Sequence, residues 1–137
     1  MDSTTDYFDH DADIGIVGRG ENLDAAFEAA ALAVFGIMVD CAAVQRVTHI
    51  EFEFEESDPE LALVTWLNRL LAEARSQGLV LGHFHVEHDG SRWRGEAWGE
   101  PWRPELERGT EVKGATLTML AVRDTGAGWE ARCVVDV

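Results

Sequence analysis

Basic residues are scarce in this chain of 137 residues: lysine and arginine together number 11 against 26 acids, the formal net charge is −15, and Lys113 is the only lysine. The arginines are scattered, so no stripe or basic helix offers a track for phosphates, and a surface of this sign repels a nucleic-acid backbone. Direct nucleic-acid binding is therefore not expected; partners are expected among proteins, cations or basic surfaces. Long apolar runs are also missing. None approaches the ~20 residues of a membrane helix, so no membrane partner is expected. The acidic start MDSTTDYFDH lacks a basic segment followed by an apolar one, which argues against a signal or transit peptide and leaves the cytoplasm as the expected compartment. Cysteine is limited to Cys41 and Cys133, without CxxC spacing. Two such residues in an intracellular chain are expected to be buried small hydrophobes without chemistry. There is no GxSxG nucleophile signature, no internal repeat and no low-complexity segment.

What is present suits one globular domain over residues 1–137. A hydrophobic fraction of 46% and five tryptophans supply a core, and a chain of this length buries about two thirds of its unfolded surface. The stretch Tyr7 to Gly20 runs an acidic cluster straight into an apolar strand rich in β-branched residues, Ile14, Ile16 and Val17. Asn22 stands at a helix N-cap with Asp24 in the first turn. Leu23, Phe27, Ala30 and Val34 then recur at helical spacing, predicting a helix from Leu23 to Val39. From Val47 the period switches to two, with Thr48, Ile50, Phe52 and Phe54 on one face and His49, Glu51, Glu53 and Glu55 on the wet one. Asp58-Pro59 is a cap followed by a first-turn proline, and Leu63, Leu67, Leu70 and Ala74 continue a second helix to a stop at Gly78.

The remainder reads as strand. Val80, Phe84 and Val86 alternate with His83, His85 and Glu87, the pair Asp89-Gly90 makes a turn, and Trp93, Gly95 and Ala97 return. Glu100 to Thr110 holds Pro101, Pro104 and Gly109 without periodicity, a loop long enough to be mobile or functional. A last hairpin joins Ala115–Val122 to Trp129–Val137. The economical architecture is α+β: two helices packed on a mainly antiparallel sheet.

Several groupings compete for chemistry. Asp9, Asp11 and Asp13 copy the first ligand positions of an EF-hand loop, but Ile14 and Gly20 occupy the places of its glycine and closing glutamate, so that reading fails. In a straight strand the three would share a face with ~6.6 Å between neighbours, too far apart for one ion, so at most some of them converge. The alternative is an acidic approach that keeps the start of a strand wet. His83-x-His85 has a spacing that ligates zinc or copper, yet nothing nearby completes the set, and a solvated strand face is the plainer reading. GIVGRG, residues 15–20, is not the dinucleotide fingerprint and reads as a strand end.

The chain resembles the archease family. The resemblance is carried by Asp9-His10-Asp11-Ala12-Asp13-Ile14-Gly15, Gly20-Glu21-Asn22-Leu23-Asp24-Ala25-Ala26-Phe27, Trp66-Leu67-Asn68-Arg69-Leu70-Leu71, Glu111-Val112-Lys113-Gly114-Ala115-Thr116 and the ending Val134-Val135-Asp136-Val137. It implies a compact α+β protein that assists an RtcB-type RNA ligase in tRNA splicing, promoting its guanylylation so that it turns over repeatedly; a chaperone-like role towards a tRNA methyltransferase is also attached to the family. Carried over by position, it implies a metal site at Asp13, Asp136 and the terminal Val137. Beside that site, His10 is the nearest imidazole and is expected to orient Asp13 or Asp136, and Asp9, Asp11 and Lys113, which lies in the EVK motif, are the further neighbours or partner contacts. The family usually reads DHTAD where Asp11 replaces the threonine, and continues to a Tyr-His pair where Leu117 and Thr118 stand. A set of hard oxygen donors of this kind prefers calcium, with magnesium or manganese next, over zinc. Three roles remain open at this stage: a ligase cofactor, a metal-dependent hydrolase on the same carboxylates, and a divalent-cation binder or scaffold.

Overall fold

The computed structural model describes residues 3–137; Met1 and Asp2 of the acidic start lie outside them. The chain does not run straight into its first apolar strand. It forms a hairpin of β1 (Thr4–His10) and β2 (Asp13–Gly20), with His10 opposite Asp13 and Tyr7 opposite Ile16. The turn is Asp11-Ala12, and Asp11 takes φ 52, a left-handed conformation that aspartate tolerates better than most non-glycine residues. The acids therefore decorate a turn and two strands, and the expected single strand is corrected to a hairpin.

Helix α1 (Leu23–Met38) is capped as expected: the Asn22 side chain accepts a hydrogen bond from the Ala25 N–H at 2.8 Å, and Asp24 lies in the first turn. Alanine at 25, 26, 29, 30, 31 and 33 makes this helix both a strong helix former and a thin one. Thinness matters because structure lies on both sides of it. A Cβ built on Gly18 of β2 would stand 2.2 Å from the Ala30 nitrogen, and one on Gly20 2.5 Å from the Ala25 Cβ. Strand and helix backbones are thus in direct contact.

Strands β3 (Thr48–Glu55), β4 (Leu79–Asp89) and β5 (Arg92–Pro101) form an antiparallel sheet in the order β3-β5-β4 on the other side of α1. There Phe27 stacks on Trp93 with centroids 4.8 Å apart, and Phe35 meets Phe84 at 5.2 Å. Helix α2 (Pro59–Gln77) begins at the Asp58 cap, which accepts from Glu60 N–H at 2.9 Å, and ends at Gly78, φ 66. Its Trp66 is fully buried, lies over Gly95, and donates its indole N–H to the Phe27 carbonyl at 2.9 Å. That bond ties the two helices together in the core while satisfying a polar atom that burial would otherwise leave stranded.

The other sheet runs β1-β2-β8-β6, where β8 is Trp129–Asp136 and β6 only Gly114–Ala115; β7 (Ala121–Asp124) also pairs with β8. The α+β class holds, with the strands divided between two antiparallel sheets that enclose the helices. The predicted strand Ala115–Val122 is broken into β6 and β7 because Met119 takes φ 55 and the chain between them turns, with Val134 N–H donating to the Thr118 carbonyl at 3.0 Å. Leucine and methionine there look like strand residues, yet Leu117 and Met119 are exposed. Register also shifts between Leu81 and His83, which disturbs the simple alternation read for β4.

The loop from Glu100 onward is tethered. Glu100 closes β5, is only 3% exposed, accepts from Gln45 N–H at 2.6 Å, and pairs with Arg103 Nε at 2.7 Å. Gly109 and Thr110 donate to the carbonyls of Met38 and Ile37 at 2.7 and 3.1 Å, satisfying the open end of α1. Cys41 and Cys133 are free and buried, as expected, and burial pushes their thiols up to about 11 and about 12.

Two outcomes follow. Gly18→Ala should cost about 3 kcal/mol in urea unfolding, because backbone rather than a mobile side chain stands in the way, whereas Gly78→Ala, with open space around it, should cost about 1 kcal/mol from its positive φ alone. The Arg103 hydrogen bond, then the Gln45 N–H, holds Glu100 below its ordinary 4.5. A lowered carboxylate stabilises the fold above its unfolded pKa and loses that contribution as pH falls through the folded value. Glu100→Gln should therefore lower the melting temperature at pH 7 and converge on the wild type as the pH drops well below 4.5, measured by thermal melts across pH.

Candidate functional site

The end of the first sheet gathers four chain segments. Ile14 pairs with Val135 in the β2–β8 ladder, so Asp13 and Asp136 are the next residues outward on adjacent strands. Counting by two from Gly15 and Val134, which are partners, puts both carboxylates on one face. β1 adds His10, directly opposite Asp13. β6 adds the Lys113–Gly114 segment: Gly114 pairs with Asp136, and the Lys113 N–H donates to the Asp136 carbonyl at 2.8 Å. The Val137 N–H donates to Asp13 Oδ1 at 3.4 Å, a long bond that joins the ending of the chain to the first sheet strand. Asp136 is exposed, while Asp13 and Val137 are half-buried.

The remaining acids of the cluster do not join them. Asp9 pairs with Ile14, so it faces the opposite side from Asp13 and borders a surface recess with Tyr7, Gly36 and Ile37. Asp11 sits at the turn with its side chain 91% exposed, and its nearest charged partner is His10, Nδ1 to Oδ2 3.8 Å. His10 thus shares Asp13's face by register while its ion-pair contact is to Asp11. Lys113 is exposed, its carbonyl accepts from Arg75 Nη2 at 3.2 Å, and its ammonium enters no ion pair among the described residues.

Asn68 is the residue whose role sequence reasoning missed. From α2 it accepts the Ala115 N–H at 2.8 Å and donates to the Ala115 carbonyl at 3.2 Å, clamping the two-residue β6 against β8. The available signal was an amide inside the apolar stretch Trp66–Leu71, where a polar residue facing the interior must have partners. Also unanticipated is a group on the wet face of the second sheet. His49, Glu51 and Glu96 bring their donor atoms within one ion's reach, but Arg94 Nη2 already lies 2.7 Å from Glu51 and 2.8 Å from Glu96. A guanidinium fills the place of a cation there, and the cluster reads as an ion-pair network. The two histidines of β4 are divided: His83 Nε2 meets the Val44 carbonyl at 2.9 Å, and His85 Nδ1 lies 3.0 Å from Glu28. His85 is exposed as expected, but His83 is half-buried rather than solvated.

Comparison with known proteins gives one consistent result. The family described as Archease protein family (MTH1598/TM1083) matches residues 6–137. Protein archease of Sulfolobus acidocaldarius is 38% identical over 135 residues, covering 96% of this chain and 97% of that protein. The solution structure of Methanobacterium thermoautotrophicum protein 1598 superposes with a TM-score of 0.87 at 31% identity, over 97% of this chain and 98% of that one. The crystal structure of an archease, described as a possible chaperone, from Thermotoga maritima shares the fold, with a TM-score of 0.66 at 20% identity over 95% and 94% of the two chains.

The clamp on β6 makes a direct expectation. Asn68→Ala should leave the backbone polar atoms of Ala115 unpaired on that side and cost about 2 kcal/mol in equilibrium unfolding. Amide exchange should accelerate most at Ala115, with the β2–β8 ladder little changed; uniform acceleration would mean that β6 is not held locally.

Proposed function

Because this chain belongs to the archease family, we propose that it is a metal-binding accessory protein rather than an enzyme, promoting guanylylation and multiple turnover of an RtcB-type RNA ligase in tRNA splicing. The observation that carries the reading is the joining of Asp13, Asp136 and the Val137 segment at one sheet end. Neighbouring carboxylates on one face repel each other, and a cation removes that cost. The donor set is all oxygen, which fits calcium, magnesium or manganese, with calcium the best match to a site of flexible carboxylates. Cross-strand neighbours have Cβ atoms ~5 Å apart, so rotation about their side-chain bonds suffices for the two aspartates to share one ion.

In this reading Asp13 and Asp136 hold the cation, and backbone bonds set their positions. The Val137 N–H orients Asp13, and the Lys113 N–H fixes the Asp136 main chain. A bound divalent ion would neutralise the pair and leave coordination positions for an oxygen of the partner. Lys113, free of ion pairing among the described residues, supplies a mobile point charge for a phosphate or carboxylate on the ligase. The net charge of −15 favours docking on a basic protein surface and disfavours bare tRNA. We place this activity in the cytoplasm; no helix among the described residues is long and apolar enough to cross a membrane.

Calorimetry with calcium and with manganese should show tight binding to the wild type and its loss in Asp13→Asn and in Asp136→Asn. Unchanged binding in both would move the ion elsewhere. With purified ligase and GTP, Lys113→Ala and Asp136→Ala should each lose most of the stimulation of guanylylation while melting like the wild type, and ligase association should weaken as salt rises. GTP hydrolysis by the isolated protein would instead favour an enzyme built on the same carboxylates.

A further inference from the structure

A second site adjoins the segment that leads into Lys113, on the side of Glu111 and Val112. A cavity of about 450 Å³ opens between the last turns of α1 and α2, the start of β4 and the segment from Trp102 to Val112, a volume within the range of small-molecule pockets. Its walls are apolar, formed by Phe35, Met38, Leu71, Val80, Trp102 and Val112. The segment that closes it is held in place by the Gly109 and Thr110 bonds to the end of α1 and by the Glu100–Arg103 pair, so the cavity is preformed.

Its polar lining runs against the charge of the whole molecule. Arg75 and Arg108 both line the cavity, and neither pairs with a carboxylate among the described residues; Arg46, Arg69 and Arg132 are also outside ion pairs, but none of those three lines the cavity. In a chain with 26 acids, these two guanidiniums put positive charge beside one apolar hole. Glu111 also lines the cavity but lies beyond ion-pair distance of both. Arg108 is stacked 4.0 Å over the Trp102 ring, and Arg75 gives one Nη2 bond, at 3.2 Å, to the Lys113 carbonyl. Both side chains are therefore ordered by uncharged partners and retain further N–H donors, the geometry that suits a bidentate oxyanion.

We propose that this cavity binds a small amphipathic carboxylate, its acyl or aryl body on the apolar walls and its carboxylate at Arg108 and Arg75. The apolar part supplies affinity through burial, and the arginines select the anion over a neutral or cationic head of the same length. An aromatic or alkyl body fits because most of the lining is apolar, with Arg75, Arg108 and Glu111 as its charged members.

The test uses the full-length protein and anilinonaphthalene sulfonate as a fluorescent reporter, displaced by decanoate, decanol or decyltrimethylammonium. Decanoate should displace the reporter at least tenfold more effectively than the other two. Arg108→Gln, at an exposed position, should weaken decanoate about tenfold with unchanged far-ultraviolet circular dichroism and melting temperature, and Ala74→Phe should fill the cavity and abolish binding of the reporter itself. Methyl NMR shifts on adding decanoate should centre on Leu71, Leu79, Val80 and Val112. Equal displacement by decanol, wild-type affinity in Arg108→Gln, or shifts confined to another surface would each overturn the site.

Discussion

Direct backbone contact between β2 and α1 is the constraint on which the rest depends. Gly18 and Gly20 offer no Cβ, α1 offers alanine, and the two elements approach until only main chain separates them. A thicker helix could not serve both sheets at once, because Phe27 and Phe35 on its far side already reach Trp93 and Phe84. The core therefore has two faces rather than one, with bulk concentrated on the second sheet and closeness on the first. Trp66 closes the arrangement by bonding α2 to the carbonyl of Phe27, so large aromatic volume and a buried polar bond meet in the core.

This packing determines where the acids can go. With β2 seated on α1 by its glycine end, its other end carries Asp13 to the sheet margin, where β8 delivers Asp136. Each surrounding hydrogen bond engages the main chain on at least one side: Lys113 to Asp136, Val137 to the Asp13 carboxylate, and the Asn68 clamp on Ala115. The main chain is fixed there while the side chain of Asp136 stays exposed. Glu130 is a contrasting case: it stands between Arg19 and Arg123, and although burial alone would raise its carboxyl, Arg123 and Arg19 hold it below the usual range.

Local chemistry was legible wherever a residue acts on its own neighbours. Asn22, Asp58, Pro59 and Gly78 mark helix ends by bonds made within a few residues, and the alternation from Thr48 to Glu55 reports one buried face without knowledge of what buries it. Failures occurred where tertiary structure overrides local preference. Asp11-Ala12 is a turn without glycine or proline, so the acids looked like an approach to one strand. Met119 bends a run that reads as β, and the shift beside Gly82 moves His83 against Val44. The separation of Asp9 from Asp13 follows from that same hairpin. The pairing of Asp13 with Asp136 was not legible from spacing at all; it came from the family resemblance, since nothing local announces a partner at the opposite end of the chain.

That distance has a consequence for how the protein is made. The Val137 N–H and the Asp13 carboxylate are 124 positions apart, and β8 is the strand on which β2, β6 and β7 all pair. While a ribosome is still holding β8, the first sheet lacks its central member; the β1–β2 hairpin has no neighbour, and the acidic corner does not exist. The second sheet and both helices lie between, and all can emerge before β8 does. Long-range closure of this kind is slow relative to helix formation, so the final strand converts a nearly assembled body into a competent one. Any contact that needs Asp13 and Asp136 side by side therefore needs β8 already paired with β2.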